Sequence, residues 1–175
     1  MQILSSQFVG KPIISVQTSE IIGYIKDMVT KQEDLKIVAL CVSQPHQKES
    51  YYLLPSDIRF FNKDKVIVDS FQKLSEFSEL VRYQHDITSN YRIIKKRVKT
   101  SSGKKLGRVV DYMFDPAHYF VTKLNVKPLL LQNIVYTKLL IDRDDIIDTQ
   151  KNYIIVKDNF AKLKKPATAV LPAQS

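Results

Sequence analysis

The chain repeats itself. Shifting the sequence by 84 positions lays Gly23 on Gly107, Ile25 on Val109, Asp27 on Asp111, Ile37 on Val121, Leu40 on Leu124 and Val42 on Val126. Beyond the next turn the shift becomes 88. It then pairs Leu53 with Ile141, Asp57 with Asp145, Ile58 with Ile146, and Val66-Ile67-Val68 with Ile154-Ile155-Val156. The second copy therefore holds four extra residues in one loop. A register kept over about 60 positions with one insertion is the mark of two copies of one structural unit, and it constrains the architecture before any single residue does.

Each copy reads as short strands. Residues 10–15 and 93–99 open the copies, and polar turns follow at Thr18-Ser19-Glu20 and Thr100-Ser101-Ser102-Gly103. Residues 21–29 and 106–114 come next, then 36–42 and 120–126, where apolar and polar positions alternate as in a strand with one core face. A fourth strand, 51–54 or 136–141, runs into a tight turn containing an aspartate, and a fifth, 65–69 or 152–157, closes the copy. This pattern predicts a mainly β protein of two tandem small antiparallel barrels, residues 1–73 and 91–161. Closure is expected because a small sheet avoids exposed edges best by curling on itself. Residues 74–90 are expected to form a helical linker. Phe71, Leu74, Phe77 or Ser78, and Val81 recur at helical spacing, with Asp69 or Ser70 as N-cap. The tail, 162–175, has two prolines and no apolar period, and is expected to be disordered.

The same residues carry a resemblance. Ser102-Gly103-Lys104-Lys105-Leu106-Gly107-Arg108-Val109-Val110-Asp111 and Glu20-Ile21-Ile22-Gly23-Tyr24-Ile25-Lys26-Asp27 resemble the hairpin of the PRC-barrel family, G-x-x-(I/L)-G-x-(I/V)-x-D. Leu53-Leu54-Pro55-Ser56-Asp57-Ile58 followed by Val66-Ile67-Val68 is similar to the family's closing half. Copy two has Leu140-Ile141-Asp142 where a proline is usual, and copy one has Ser19 where the hairpin glycine is usual. The resemblance implies a barrel fold shared with the cytoplasmic domain of the reaction-centre H subunit, the C-terminal domain of RimM-type ribosome maturation factors, and many short prokaryotic proteins. It implies no reaction, and neither named function transfers directly.

Charge separates the copies. Residues 1–85 carry 10 Lys/Arg and 10 Asp/Glu; residues 86–175 carry 17 and 8, which is the whole of the +9 net charge. Arg92, Lys95, Lys96, Arg97, Lys99, Lys104, Lys105 and Arg108 fall in one 17-residue stretch without an acid. Strand alternation would send Lys95, Arg97 and Lys99 to one face, with Lys96 on the other, and Lys104, Lys105 and Arg108 follow at or after the turn. Arg92, Lys95, Arg97, Lys99, Lys104, Lys105 and Arg108 are therefore the candidate polyanion-binding residues. Such a run suits phosphates of RNA or a ribonucleoprotein, anionic lipid headgroups, a protein partner, or a plain solvated face.

Candidates for chemistry are few. His46, His85 and His118 lie apart from any cysteine or carboxylate pattern with metal-ligand spacing. Cys41, the one cysteine, sits in an apolar strand as a small core residue, and its solitude suits a reducing interior. Asp142, Asp144, Asp145 and Asp148 lack the glycine and distal glutamate of a calcium loop. No apolar run is long enough to cross a bilayer, and the first residues do not read as a signal peptide. The expectation is a cytoplasmic, non-enzymatic adaptor without cofactor, metal or evident small-molecule substrate. It would dock a protein partner through one barrel and RNA or a ribonucleoprotein through the basic one. The alternative is a peripheral scaffold at the anionic membrane surface or on a membrane protein complex.

Overall fold

The computed structural model describes residues 2–45, 47–128 and 138–159. The chain begins with β1 (Ile3–Leu4) and the one-turn helix α1 (Ser5–Phe8). The first copy supplies β2 (Pro12–Ser15), β3 (Ile21–Thr30), β4 (Ile37–Ser43), β5 (Tyr51–Leu53), β6 (Ile58–Phe61) and β7 (Val66–Val68). Then come β8 (Leu74–Ser75) and α2 (Gln84–Ser89). The second copy supplies β9 (Arg97–Thr100), β10 (Lys105–Asp115), β11 (Phe120–Pro128), β12 (Leu139–Asp142), β13 (Ile146–Thr149) and β14 (Tyr153–Val156). The protein is mainly β, with two mixed sheets, one of them a half-barrel.

The two sheets have the same strand order. One runs β6-β7-β2-β3-β4-β5-β8, the other β13-β14-β9-β10-β11-β12 with β1 added on β10. Neither is purely antiparallel, contrary to the sequence expectation. β7 pairs β2 in parallel, and β14 pairs β9 in parallel. The cause is the aspartate turn. Antiparallel pairings from β2 to β5, and of β6 with β7, leave β5 and β6 running in the same sense. The short 3-10 turn Pro55–Asp57, like Arg143–Asp145, therefore bends the chain without reversing it. The next hairpin then brings the last strand back alongside the first.

Burial follows the repeat. Val42, Leu53 and Val68 are fully buried, as are their equivalents Val126, Ile141 and Val156, whereas Ile58 and Ile146 are half-buried against the same core. That core is one cluster drawn from both copies. The Phe8 ring stands edge-on to Phe61 of its own copy and to Phe114 of the other, at 5.4 Å from each. The tips of the two long hairpins also meet: Ile37 N–H donates to the Tyr119 carbonyl at 2.7 Å, and Val121 N–H to the Leu35 carbonyl at 3.1 Å. Leu35 and Tyr119 are equivalent, and both hold left-handed φ, 56° and 59°.

The units do not end where the sequence divides them. β1 joins the second copy's sheet (Ile3 opposite Phe114, Leu4 opposite Met113), and β8 joins the first copy's (Leu74 opposite Leu53). The linker 74–90 is not one helix at the Phe71–Val81 spacing. It breaks into β8, the 3-10 turns Phe77–Glu79 and Val81–Tyr83, and the short α2. Leu74 finds its buried place as a strand residue beside β5, a tertiary contact that overrides a weak helical period over poor helix formers such as Ser70, Ser75 and Ser78. The expected disordered tail, 162–175, and Tyr136 and Thr137 of the expected fourth strand lie outside the described residues.

Candidate polyanion-binding face

The face is built on the hairpin from β9 to β10. Gly103 holds φ +89°, where the absence of a Cβ removes the steric penalty, and its N–H donates to the Thr100 carbonyl at 2.9 Å. The Asp158 carboxylate accepts from the Ser101 and Ser102 hydroxyls, 2.7 Å each, and from Ser102 N–H at 3.1 Å. Those hydrogen bonds hold it far below the usual carboxylate range. After the turn, Gly107 lets β10 lie close on β11, for a Cβ there would stand 2.0 Å from the Lys127 carbonyl oxygen. Val98 and Leu106 point into the core, which leaves Arg97, Lys105 and Arg108 exposed and Lys99 half-buried on the other side.

The ladder puts like charges opposite each other. Lys99 faces Lys105, Arg97 faces Arg108, and Arg108 faces Lys127 on β11. With strands about 4.8 Å apart, Arg97, Arg108 and Lys127 form one row across three strands, and Lys99 and Lys105 form a second. On β14, Tyr153 is level with Arg97, and its ring lies 4.6 Å from both the Arg97 guanidinium and the Lys99 ammonium. These cation–π contacts hold both charges against one aromatic ring. Among the described residues, no carboxylate lies in ion-pair reach of Arg97, Lys99, Lys105 or Arg108. The acid that shares the second row, Asp148, is separated from Lys99 by Ile155 and takes hydrogen bonds from Thr149 N–H and Gln150.

The remaining basic residues of the run lie off these two rows. Arg92 reaches across to the first copy, with Nη1 3.3 Å from Asp27 Oδ2. Lys95 lies in the turn before β9 with φ 70°, so the alternation that places Arg97 and Lys99 does not extend to it. Lys104 stands exposed on the hairpin turn, its N–H donating to Thr100 Oγ1 at 3.2 Å. Lys96 is half-buried on the other side, 3.9 Å above the Tyr91 ring and donating to the Lys151 carbonyl; burial pushes its ammonium pKa down. Lys11 does the same in the first copy, over Phe8 and onto the Asn62 carbonyl. These two lysines hold equivalent turns in place. Sequence reasoning missed Lys127 and Tyr153, which lie far from the basic run and join it only through the sheet. At the matched positions the first copy has Pro12 opposite Tyr24, Ile14 opposite Ile21, and Ser43 in place of Lys127. The fold itself therefore makes no demand for charge there.

Other singled-out residues are placed as follows. Cys41 is half-buried on the outward side of β4, between Asp27 and Tyr52, and not in the core as expected. Asp142 pairs with Lys123 and Asp145 with Lys157, the latter at 3.5 Å. His118 Nδ1 lies 2.7 Å from Asp115, His85 is in α2, and His46 lies outside the described residues. Among the described residues no helix is long and apolar enough to cross a membrane.

A scan against known protein families finds no matching family, and a search of curated proteins finds no relative.

Proposed function

We propose that the chain is a non-enzymatic adaptor of PRC-barrel type that docks on RNA or a ribonucleoprotein through the outward face of β9, β10 and β11. The observation that carries this reading is the like-charge ladder. Opposed cations on neighbouring strands destabilise a sheet, and the first copy adopts the same strand order without them. A local rule broken in one copy only is the pattern expected of a binding surface, where a polyanion supplies countercharge to Arg97, Lys99, Lys105 and Arg108. The repeat, the shared strand order and the aspartate turns support reading each sheet as a small barrel of that family. A lone cysteine suits a cytoplasmic setting.

The test is binding of single- and double-stranded RNA, and of anionic vesicles, across a salt series. Converting Arg97, Lys99, Lys105 and Arg108 to Gln should weaken RNA binding by at least about tenfold. It should also flatten log K against log salt by about 0.7–0.9 for each phosphate that is no longer neutralised. Retention by vesicles and not by RNA would transfer the face to the membrane-scaffold alternative. Retention by neither at physiological salt would leave it a solvated surface.

A further inference from the structure

The two copies differ at one edge of their sheets. In the first, β8 covers the edge of β5, with Leu74 opposite Leu53 and Ser75 opposite Tyr52. In the second, β12 is the equivalent of β5, for Leu139 stands opposite Val126 as Tyr51 stands opposite Val42. Among the described residues β12 pairs with β11 alone. It carries Leu139, Leu140 and Ile141, and Leu140 is 45% exposed. An apolar edge strand left open is a template for another strand.

The sequence repeats once more beyond β14. β8 belongs to the stretch Asp69-Ser70-Phe71-Gln72-Lys73-Leu74, and Asp158-Asn159-Phe160-Ala161-Lys162-Leu163 matches it at Asp, Phe, Lys and Leu, four of six positions. The match falls at a shift of 89, so the second copy has one further residue between its last strand and this motif. We propose that residues 160–164, which lie outside the described structure, dock on the edge of β12 as residues 71–75 dock on β5. Leu163 then stands opposite Ile141, and Lys164 opposite Leu140.

Each matched residue has a partner in the first copy that the second copy can supply. Phe71 stands edge-on to Tyr51 at 5.6 Å, and the place of Tyr51 is taken by Leu139, an apolar seat for Phe160. Lys73 Nζ lies 3.0 Å from Asp57 Oδ1, and the equivalent aspartate for Lys162 is Asp145. Leu74 joins the core beside Leu53, whose equivalent for Leu163 is Ile141. The described chain already heads there, since Asn159 Nδ2 donates to Asp145 Oδ1 at 3.4 Å, beside Lys157. Reach is sufficient: six residues lead from Val68 to Leu74, and seven from Val156 to Leu163. Pro166, which has no N–H to donate, limits the added strand to the length of β8. Docking closes the edge of β12 to strands of other chains, whether or not the cationic face binds a polyanion.

Cross-linking and hydrogen exchange on the full chain test this. With Cys41→Ser, Leu140→Cys and Lys164→Cys, mild oxidation should form a disulfide within one molecule, in a yield independent of protein concentration. Residues directly opposite on antiparallel strands bring their Cβ atoms within about 5 Å. Leu171→Cys in place of Lys164→Cys should not cross-link. Leu163→Asp should speed exchange at least about tenfold at those amides of residues 139–142 that face away from β11. It should leave the amides of β3 protected, which shows that the variant folds, and Leu171→Asp should change neither. Cross-links formed only between molecules, no cross-link at all, or exchange at β12 that ignores Leu163→Asp would each overturn the proposal. The first of these would give the edge to a second copy of the chain.

Discussion

Gly107 and Gly23 occupy equivalent places, yet what surrounds them differs. A Cβ at Gly107 would meet backbone, the Lys127 carbonyl oxygen at 2.0 Å, with φ at +158°. At Gly23 the nearest atom is a side-chain methyl, Val42 Cγ1 at 2.6 Å. Backbone pinned in a ladder cannot yield, whereas a side chain can shift. Gly107→Ala should therefore cost about 2–4 kcal/mol and Gly23→Ala clearly less, as read from urea unfolding midpoints. The surface cations have the opposite sign. Because Lys105 opposes Lys99 and Arg108 opposes Arg97, Lys105→Gln or Arg108→Gln should raise stability by a few tenths of a kcal/mol while polyanion binding falls. A loss of stability in both would mean that those charges are paired within the fold.

At the scale of elements, two carboxylates tie segments that the ladder alone would leave loose. Asp111 accepts hydrogen bonds from the Ser5 and Ser6 hydroxyls and from the N–H groups of Ser6 and Tyr112. Burial alone would raise its pKa, but those hydrogen bonds outweigh it and hold the group below the usual range. Asp158 clamps the β9–β10 turn in the same way. A carboxyl depressed in the folded state contributes fully above its unfolded pKa, about 3.9, and loses that contribution as pH falls through the lower folded value. Amide protection of residues 3–6 and 101–103 should therefore drop in acid below about pH 4, after correction for intrinsic exchange. Asp111→Asn should loosen residues 3–6, and only those, already at neutral pH. Protection unchanged down to pH 2 would mean that β1 is held by its ladder with β10 alone.

The molecule as a whole is strapped reciprocally. The segment before the first copy binds Asp111 of the second, and Arg92, just before the second copy, binds Asp27 of the first. Gln32 and Thr149 exchange hydrogen bonds across the same boundary. Phe114 is fully buried and touches Phe8 across it. A core shared in this way should unfold as one unit. Calorimetry should show a single transition, and Phe114→Ala should lower the whole of it by about 3–5 kcal/mol. Residues 1–90 and 91–175, produced separately, should each lack stable structure and regain it on mixing. Two independent transitions in the intact chain would disprove the shared core.

The sequence by itself determined the repeat, the strand content, most of the inward residues (Cys41 excepted) and the separation of charge between copies. Each of these is written in local alternation or in a matched register: Val42 with Val126 and Leu53 with Ile141 are buried as their period requires. The linker shows the limit, since Leu74 has a helical period but lies in a strand because β5 offers it a partner. Only the tertiary structure decided which strands are neighbours. The parallel return of β7 and β14, the exchange of β1 into the second sheet, and the row of Arg97, Arg108 and Lys127 over Tyr153 all depend on pairings distant in sequence. A run of charge along the chain records composition, whereas a binding face is made by adjacency across strands. That is why Arg92 turns to Asp27 of the other copy while Lys127 and Tyr153 join the row.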